Sequence, residues 1–194
     1  MRLRLVAVLL VAGTLATLAW YSELFTVEKS GAVPRPLELL PADSRGTARF
    51  DAMLAVVPVG VQHLRPGGSV MLVHYWAPWE RHSGVQAKTL DSLRSALPPG
   101  AVQVAVVCFD PFPSVARYVG RMRLRVPVML DPRRSLARTL PCPSIPYTYV
   151  IDRAGRIAVV QGGEIDWLSP ATRATLDRVI DEAPPPRPDS GTAL

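Results

Sequence analysis

From about residue 64 to residue 183 the chain alternates apolar runs with short polar breaks. Residues 70–76, V-M-L-V-H-Y-W, form a β-branched and aromatic run with one polar member, His74, and follow the turn signal Pro66-Gly67-Gly68. Such a run predicts a strand buried on both faces. Residues 83–97 place Val85, Leu90, Leu93 and Leu97 on one helical stripe, closed by Pro98-Pro99-Gly100, which predicts a helix. A second buried strand is predicted over 101–108, a short helix over 114–122, an extended piece over 126–130, and one or two helical turns over 135–140. Residues 147–151 and 156–161 are apolar and flank Asp152-Arg153-Ala154-Gly155, predicting an antiparallel hairpin with glycine in the left-handed position. Ser169 is placed to cap a helix that opens on Pro170 and buries Leu176, Val179 and Ile180 before Pro184. This order of elements calls for a mixed sheet covered by helices on both faces.

The two ends read differently. Arg2 and Arg4 precede an uncharged, largely apolar run of about 17 residues, 5–21, broken by Ser22 and Glu23. This is the layout of a secretory signal or a signal anchor, at the lower length limit for a spanning helix. Thr17-Leu18-Ala19 is a poor cleavage site, so retention as an anchor is favoured over removal. Residues 1–22 are assigned to that segment, and the chain beyond Glu23 is expected on the periplasmic or extracellular side. Residues 23–45 carry Pro34, Pro36 and Pro41 without a sustained period and read as a tether. The domain is assigned to 46–183, and 184–194, opening on three prolines, to an irregular tail.

Composition fits one domain with appendages: 194 residues, 48% of them hydrophobic. The net charge of +6 comes mostly from arginine. Arg117, Arg121, Arg123, Arg125, Arg133, Arg134 and Arg138 share a stretch opposed only by Asp131. No nucleic-acid motif or stacking-aromatic pattern accompanies them, so no nucleic-acid partner is assigned. The stretch reads either as a solvated basic face or as a patch for an anion or acidic partner. Two cysteines, Cys108 and Cys142, exclude a disulfide-dense scaffold, and no C-x-x-C pair signals zinc. His74, Glu80, His82 and Cys142 are metal-ligating types without a diagnostic spacing. No metal and no cofactor is assigned.

In this element order, V-H-Y-W-A-P-W-E-R-H-S at 73–83 and S-I-P-Y-T-Y-V-I-D at 144–152 resemble the thioredoxin superfamily. The likeness is to its membrane-tethered, TlpA-like branch of thiol-disulfide oxidoreductases and covers roughly 64–183. It implies an α/β, thioredoxin-like mixed sheet with helices on both faces, preceded by the N-terminal membrane segment, and a cis bond before Pro146. In that family the central strand runs into W-A-x-W-C-x-x-C; here Glu80 and Ser83 stand in the two cysteine slots, and His74 in the slot of a buried Asp or Asn. The chemistry needs a thiolate activated at a helix N-terminus and a second thiol to resolve the mixed disulfide. A carboxylate and a hydroxyl supply neither, so no catalytic residue is assigned. Glu80 is expected to hold the helix start, a contribution of about 0.3 to 1 kcal/mol.

By the same resemblance, Trp76, Trp79, Glu80, Arg81, His82, Ser83, Ile145, Pro146 and Tyr147 surround a shallow groove. There an extended peptide pairs with the main chain. The expected function is that of an exported, tethered, non-catalytic module that binds a protein or extended peptide. The alternative is redox work by Cys108, Cys142 or both, which the family layout sets too far apart to bond without movement.

Overall fold

The computed structural model describes residues 33–182; the expected anchor or signal segment and the 184–194 tail lie outside them. None of the described helices is long and apolar enough to cross a membrane. Seven strands form one mixed sheet: β1 (Ala52–Val57), β2 (Val61–Leu64), β3 (Val70–Tyr75), β4 (Val102–Cys108), β5 (Val128–Leu130), β6 (Tyr147–Ile151) and β7 (Ile157–Gly162). Their spatial order is β2-β1-β5-β4-β3-β6-β7. The helices are α1 (Ser83–Ala96), α2 (Phe112–Met122) and α3 (Pro170–Asp181).

Central β3 runs parallel to β4 and antiparallel to β6. Every residue of β3 is buried, as its unbroken apolar sequence requires of a strand covered on both sides. Side-chain alternation sorts the core into two layers. Val70, Leu72 and Trp76 join Val104, Val106 and Cys108 in one layer. Met71, Val73 and Tyr75 join Ala105 and Val107 in the other.

Contrary to the expectation of helices on both faces, the first layer receives all three. Leu90 and Leu93 of α1, Val115 and Val119 of α2, and Leu176 and Val179 of α3 pack there. The second layer is closed by Leu136 and Leu140, from the stretch expected to be helical. That stretch makes isolated turns, with Arg138 N–H on the Arg134 carbonyl and Leu140 N–H on the Leu136 carbonyl. Eight residues between Pro132 and Pro141 are too few to offset the cost of helix nucleation. Asp131 holds the turn instead: its carboxylate accepts Ser135 N–H, Ser135 Oγ–H and Leu136 N–H at 2.7, 2.6 and 2.9 Å.

The hairpin of β6 and β7 forms as predicted, with Gly155 at φ +78° in its turn. Ser169 caps α3, its Oγ accepting Thr172 N–H at 3.1 Å. Two further features depart from the sequence reading. The β1–β2 hairpin has no predicted counterpart, because exposed Met53 and Val61 (64% and 63% accessible) blur its alternation. Residues 33–45, expected to belong to a free tether, lie along the β7 edge. Leu40 N–H donates to the Ala158 carbonyl at 2.8 Å, and Leu37 is buried in the helix-side core. The segment is held because it carries apolar leucines and a buried arginine, Arg45, and it covers backbone groups that an open edge strand would expose.

Candidate functional site

Tyr75 of β3 faces Tyr147 of β6 in register, so the loop leaving β3 and the turn entering β6 emerge at one end of the sheet. Trp76 continues the strand, its N–H donating to the Val107 carbonyl at 2.9 Å. Its indole is 1% exposed and Nε1 donates to the Ser83 carbonyl at 3.1 Å. Trp76 therefore anchors the start of α1 and does not line a groove, because strand alternation points it into the helix-side core. Ser83 is buried as well, its hydroxyl donating to the Ala77 carbonyl. Both depart from the expected groove.

The remaining residues build the helix tip. Glu80 closes a tight turn on the Ala77 carbonyl. Its two carboxylate oxygens each lie 3.0 Å from His82 N–H, and Oε2 lies 3.1 Å from Ser83 Oγ. The carboxylate thus accepts the N–H of His82, the residue just before α1, while the first turn of the helix itself carries no acidic side chain. His82 Nδ1 lies 2.6 Å from Glu164 Oε1 and 3.9 Å from Glu80 Oε1. Sequence reasoning did not single out Glu164; its one signal is a lone acid after Gly162-Gly163, the second of which has φ +88°. Trp79 stands out into solvent at 69% exposure, next to exposed Arg81.

The Ile145–Pro146 bond is cis, as the resemblance implied. Pro146 is buried and its carbonyl accepts Gly163 N–H at 2.9 Å. Ile145 and Tyr147 are partly exposed. The N–H and C=O of Ile145 have no partner among the described residues. An unpaired peptide group at a surface turn is available to an added strand.

His74 is fully buried, Nδ1 lying 3.0 Å from the hydroxyl of Thr148, its register partner. Its ring meets Trp167 edge-on at 5.3 Å between centroids, and His74 Nε2 and Trp167 Nε1 have no partner among the described residues. Burial pushes its pKa down to about 3, so the ring is neutral at physiological pH.

Cys108 and Cys142 are free thiols. Cys108 packs in the helix-side layer and Cys142 against the other. Burial pushes Cys108 up to about 12, its thiol beside Asp110 at 3.5 Å. Cys142 donates to the Ser144 carbonyl at 3.1 Å, and burial, outweighing nearby Arg134, pushes it up to about 11. Burial thus favours the protonated form of both thiols at neutral pH. Among the described residues, no three His, Cys, Asp or Glu side chains are arranged to hold a metal ion.

Beside the helix tip lies a depression of about 360 Å³ lined by Pro78, Trp79, Asp110, Ser114, Arg117, Tyr118 and Arg121. It brings two arginines of the basic stretch against the exposed indole, a juxtaposition that sequence spacing alone did not reveal.

Several solved structures share this architecture. A thiol:disulfide interchange protein DsbE from Chlorobium tepidum matches at a TM-score of 0.63 and 20% identity, over 70% of this chain and 97% of that one. A thiol-disulfide isomerase from Corynebacterium glutamicum matches at 0.60 and 19%, over 73% and 99%. The pneumococcal exposed lipoprotein thioredoxin from Streptococcus pneumoniae matches at 0.58 and 20%, over 66% and 99%. At these identities the likeness establishes the thioredoxin-like fold. None of the curated proteins matches the chain. The AhpC/TSA family model matches residues 57–160, more than half of the sequence, and the chain belongs to that family.

Proposed function

We propose that this protein is an exported, membrane-tethered thioredoxin-like module that has lost dithiol chemistry and binds an extended segment of a partner protein beside Pro146. The observation that carries the reading is the pair of oxygen side chains at the start of α1. Glu80 and Ser83 occupy the two sulfur positions implied by the W-A-P-W motif and are engaged in local hydrogen bonds. The thiols elsewhere belong to opposite core layers and are held protonated by burial. Binding needs none of this chemistry. It draws on the N–H and C=O of Ile145, unpaired among the described residues, and on the exposed indole of Trp79, the means by which strand addition gains affinity and specificity. Export and tethering rest on Arg2, Arg4 and the apolar run that follows them.

A photo-crosslinking amino acid in place of Trp79 in living cells tests the reading, with Val59, 85% exposed on the β1–β2 turn, as the control position. Discrete adducts at position 79 that are absent at position 59 are expected. Equal or no adducts at both positions would overturn the binding role. In parallel, the purified chain is expected to show no reduction of insulin; turnover that vanishes on Cys142→Ser would restore the redox alternative.

A further inference from the structure

We infer that the segment bound at this site is acidic, its carboxylates received by Arg117 and Arg121 in the depression beside Trp79. The inference rests on the binding role proposed above and adds the chemistry of the partner. Arg117 is fixed at the surface of α2, its Nε donating to the Pro113 carbonyl at 3.2 Å. The Arg121 guanidinium lies over the Tyr118 ring, 5.1 Å from its centroid. Neither guanidinium has an ion-pair partner among the described residues. Both share the 360 Å³ depression with the Trp79 indole. Arginine and exposed aromatic side chains together form the residue set that dominates protein interfaces.

Negative groups nearby are few and occupied. Asp110 accepts the Cys108 thiol at 3.5 Å. Glu80, close to Tyr118, accepts His82 N–H. Exposed Arg81 and Arg123 add to the positive side. The balance favours carboxylates on an extended chain whose backbone lies at Ile145. Two partly exposed ion pairs correspond to about tenfold in affinity, screened by salt.

The test uses the full chain in a non-ionic detergent and three pools of fluorescent nonapeptides. Each pool has randomised apolar positions and a central pair of Glu, Gln or Lys. Fluorescence anisotropy at low salt is expected to rank the Glu pool about tenfold tighter than the Gln pool, with Lys weakest, and the gap to shrink at high salt. An Arg117→Gln, Arg121→Gln variant is expected to erase the ranking, the Glu and Gln pools then binding within about twofold of each other. Equal binding of the Glu and Gln pools by the unaltered chain, or preference for Lys, would overturn the acidic partner while leaving the groove in place. Failure of all three pools to bind would overturn both. An Arg117→Lys, Arg121→Lys variant that keeps the ranking shows that charge selects the partner; the ranking surviving in the Gln variant would remove these arginines from the role.

Discussion

Ser83 Oγ lies 3.1 Å from Glu80 Oε2, and Ser83 N–H closes back on the Glu80 carbonyl at 3.3 Å. By the proposed reading, these two side-chain tips, touching across one turn beside the start of α1, take the places of a pair of sulfurs. The double variant Glu80→Cys, Ser83→Cys is therefore expected to form an intramolecular disulfide in air. The thiol at position 80 is expected to titrate well below the ordinary thiol range because of the helix N-terminus. Mass spectrometry after alkylation, with and without reductant, reads the bridge, and insulin turbidity reads any restored reductase activity. A variant that stays fully dithiol after oxidation would show that positions 80 and 83 are not the sulfur positions.

The native cysteines are expected to behave in the opposite way. Thiol counting on the unfolded chain without reductant is expected to return both Cys108 and Cys142 as free. In the folded protein, iodoacetamide should modify Cys142 alone, because Cys108 is fully buried. With its pKa pushed up to about 11, the alkylation rate of Cys142 is expected to climb about tenfold for each pH unit from neutrality towards that value. A rate already at its plateau at pH 7.5 would contradict the buried, protonated thiol.

His74 carries a pH signature of its own. Its ring is held neutral by burial, with a pKa of about 3 in the folded chain, while the unfolded chain protonates it near 6.5. The unfolded state thus gains a proton first on acidification. Stability from this residue is complete above about pH 6.5 and falls by at most about 1.4 kcal/mol per pH unit as pH drops from there towards 3. Replacing His74 with Asn, which can still meet Thr148, removes that slope. Urea unfolding at pH 7.5 and pH 5 is expected to show the stability difference between the chains moving by roughly 2 kcal/mol in favour of the variant. Parallel loss in both chains would exclude the histidine as its source.

These residues also show how far the sequence could be read. β3 was legible because a strand covered on both faces must be apolar throughout, and the Ser169–Pro170 helix start because its chemistry is local. Elements decided by distant partners were hidden. Arg45 and the leucines around it look like linker until Asp152 and Glu182 are placed beside them. Position 135–140 has helical residues, yet its flanking prolines and Asp131 settle it as turns. At the site, the motif located the helix tip, but local burial withdrew Trp76 and Ser83 from the surface. Folding brought in Glu164, Arg117 and Arg121, which no spacing connects to Trp79.

Arg45 gives the sharpest stability test of the segment that covers the β7 edge. Its side chain is almost fully buried, with Nη1 3.2 Å from Asp152 Oδ2 and 2.5 Å from Glu182 Oε2, and Nε donating to the Leu40 carbonyl at 3.1 Å. One guanidinium thereby joins the edge-covering segment, the β6–β7 turn and the end of α3. Asp152 keeps other donors, Arg156 Nε at 3.0 Å and two backbone N–H groups, but its buried charge loses its closest enclosed cation if Arg45 is removed. Arg45→Met is expected to cost about 3 to 5 kcal/mol, the range for breaking a buried pair from one side. Glu182 is one-third exposed, so Glu182→Gln is expected to cost about 1 kcal/mol or less. Arg45→Lys should fall between them, since a single ammonium does not reproduce the fork that spans both carboxylates. Urea unfolding of the three variants measures this ordering, and an Arg45→Met loss no larger than that of Glu182→Gln would mean the segment does not depend on this contact.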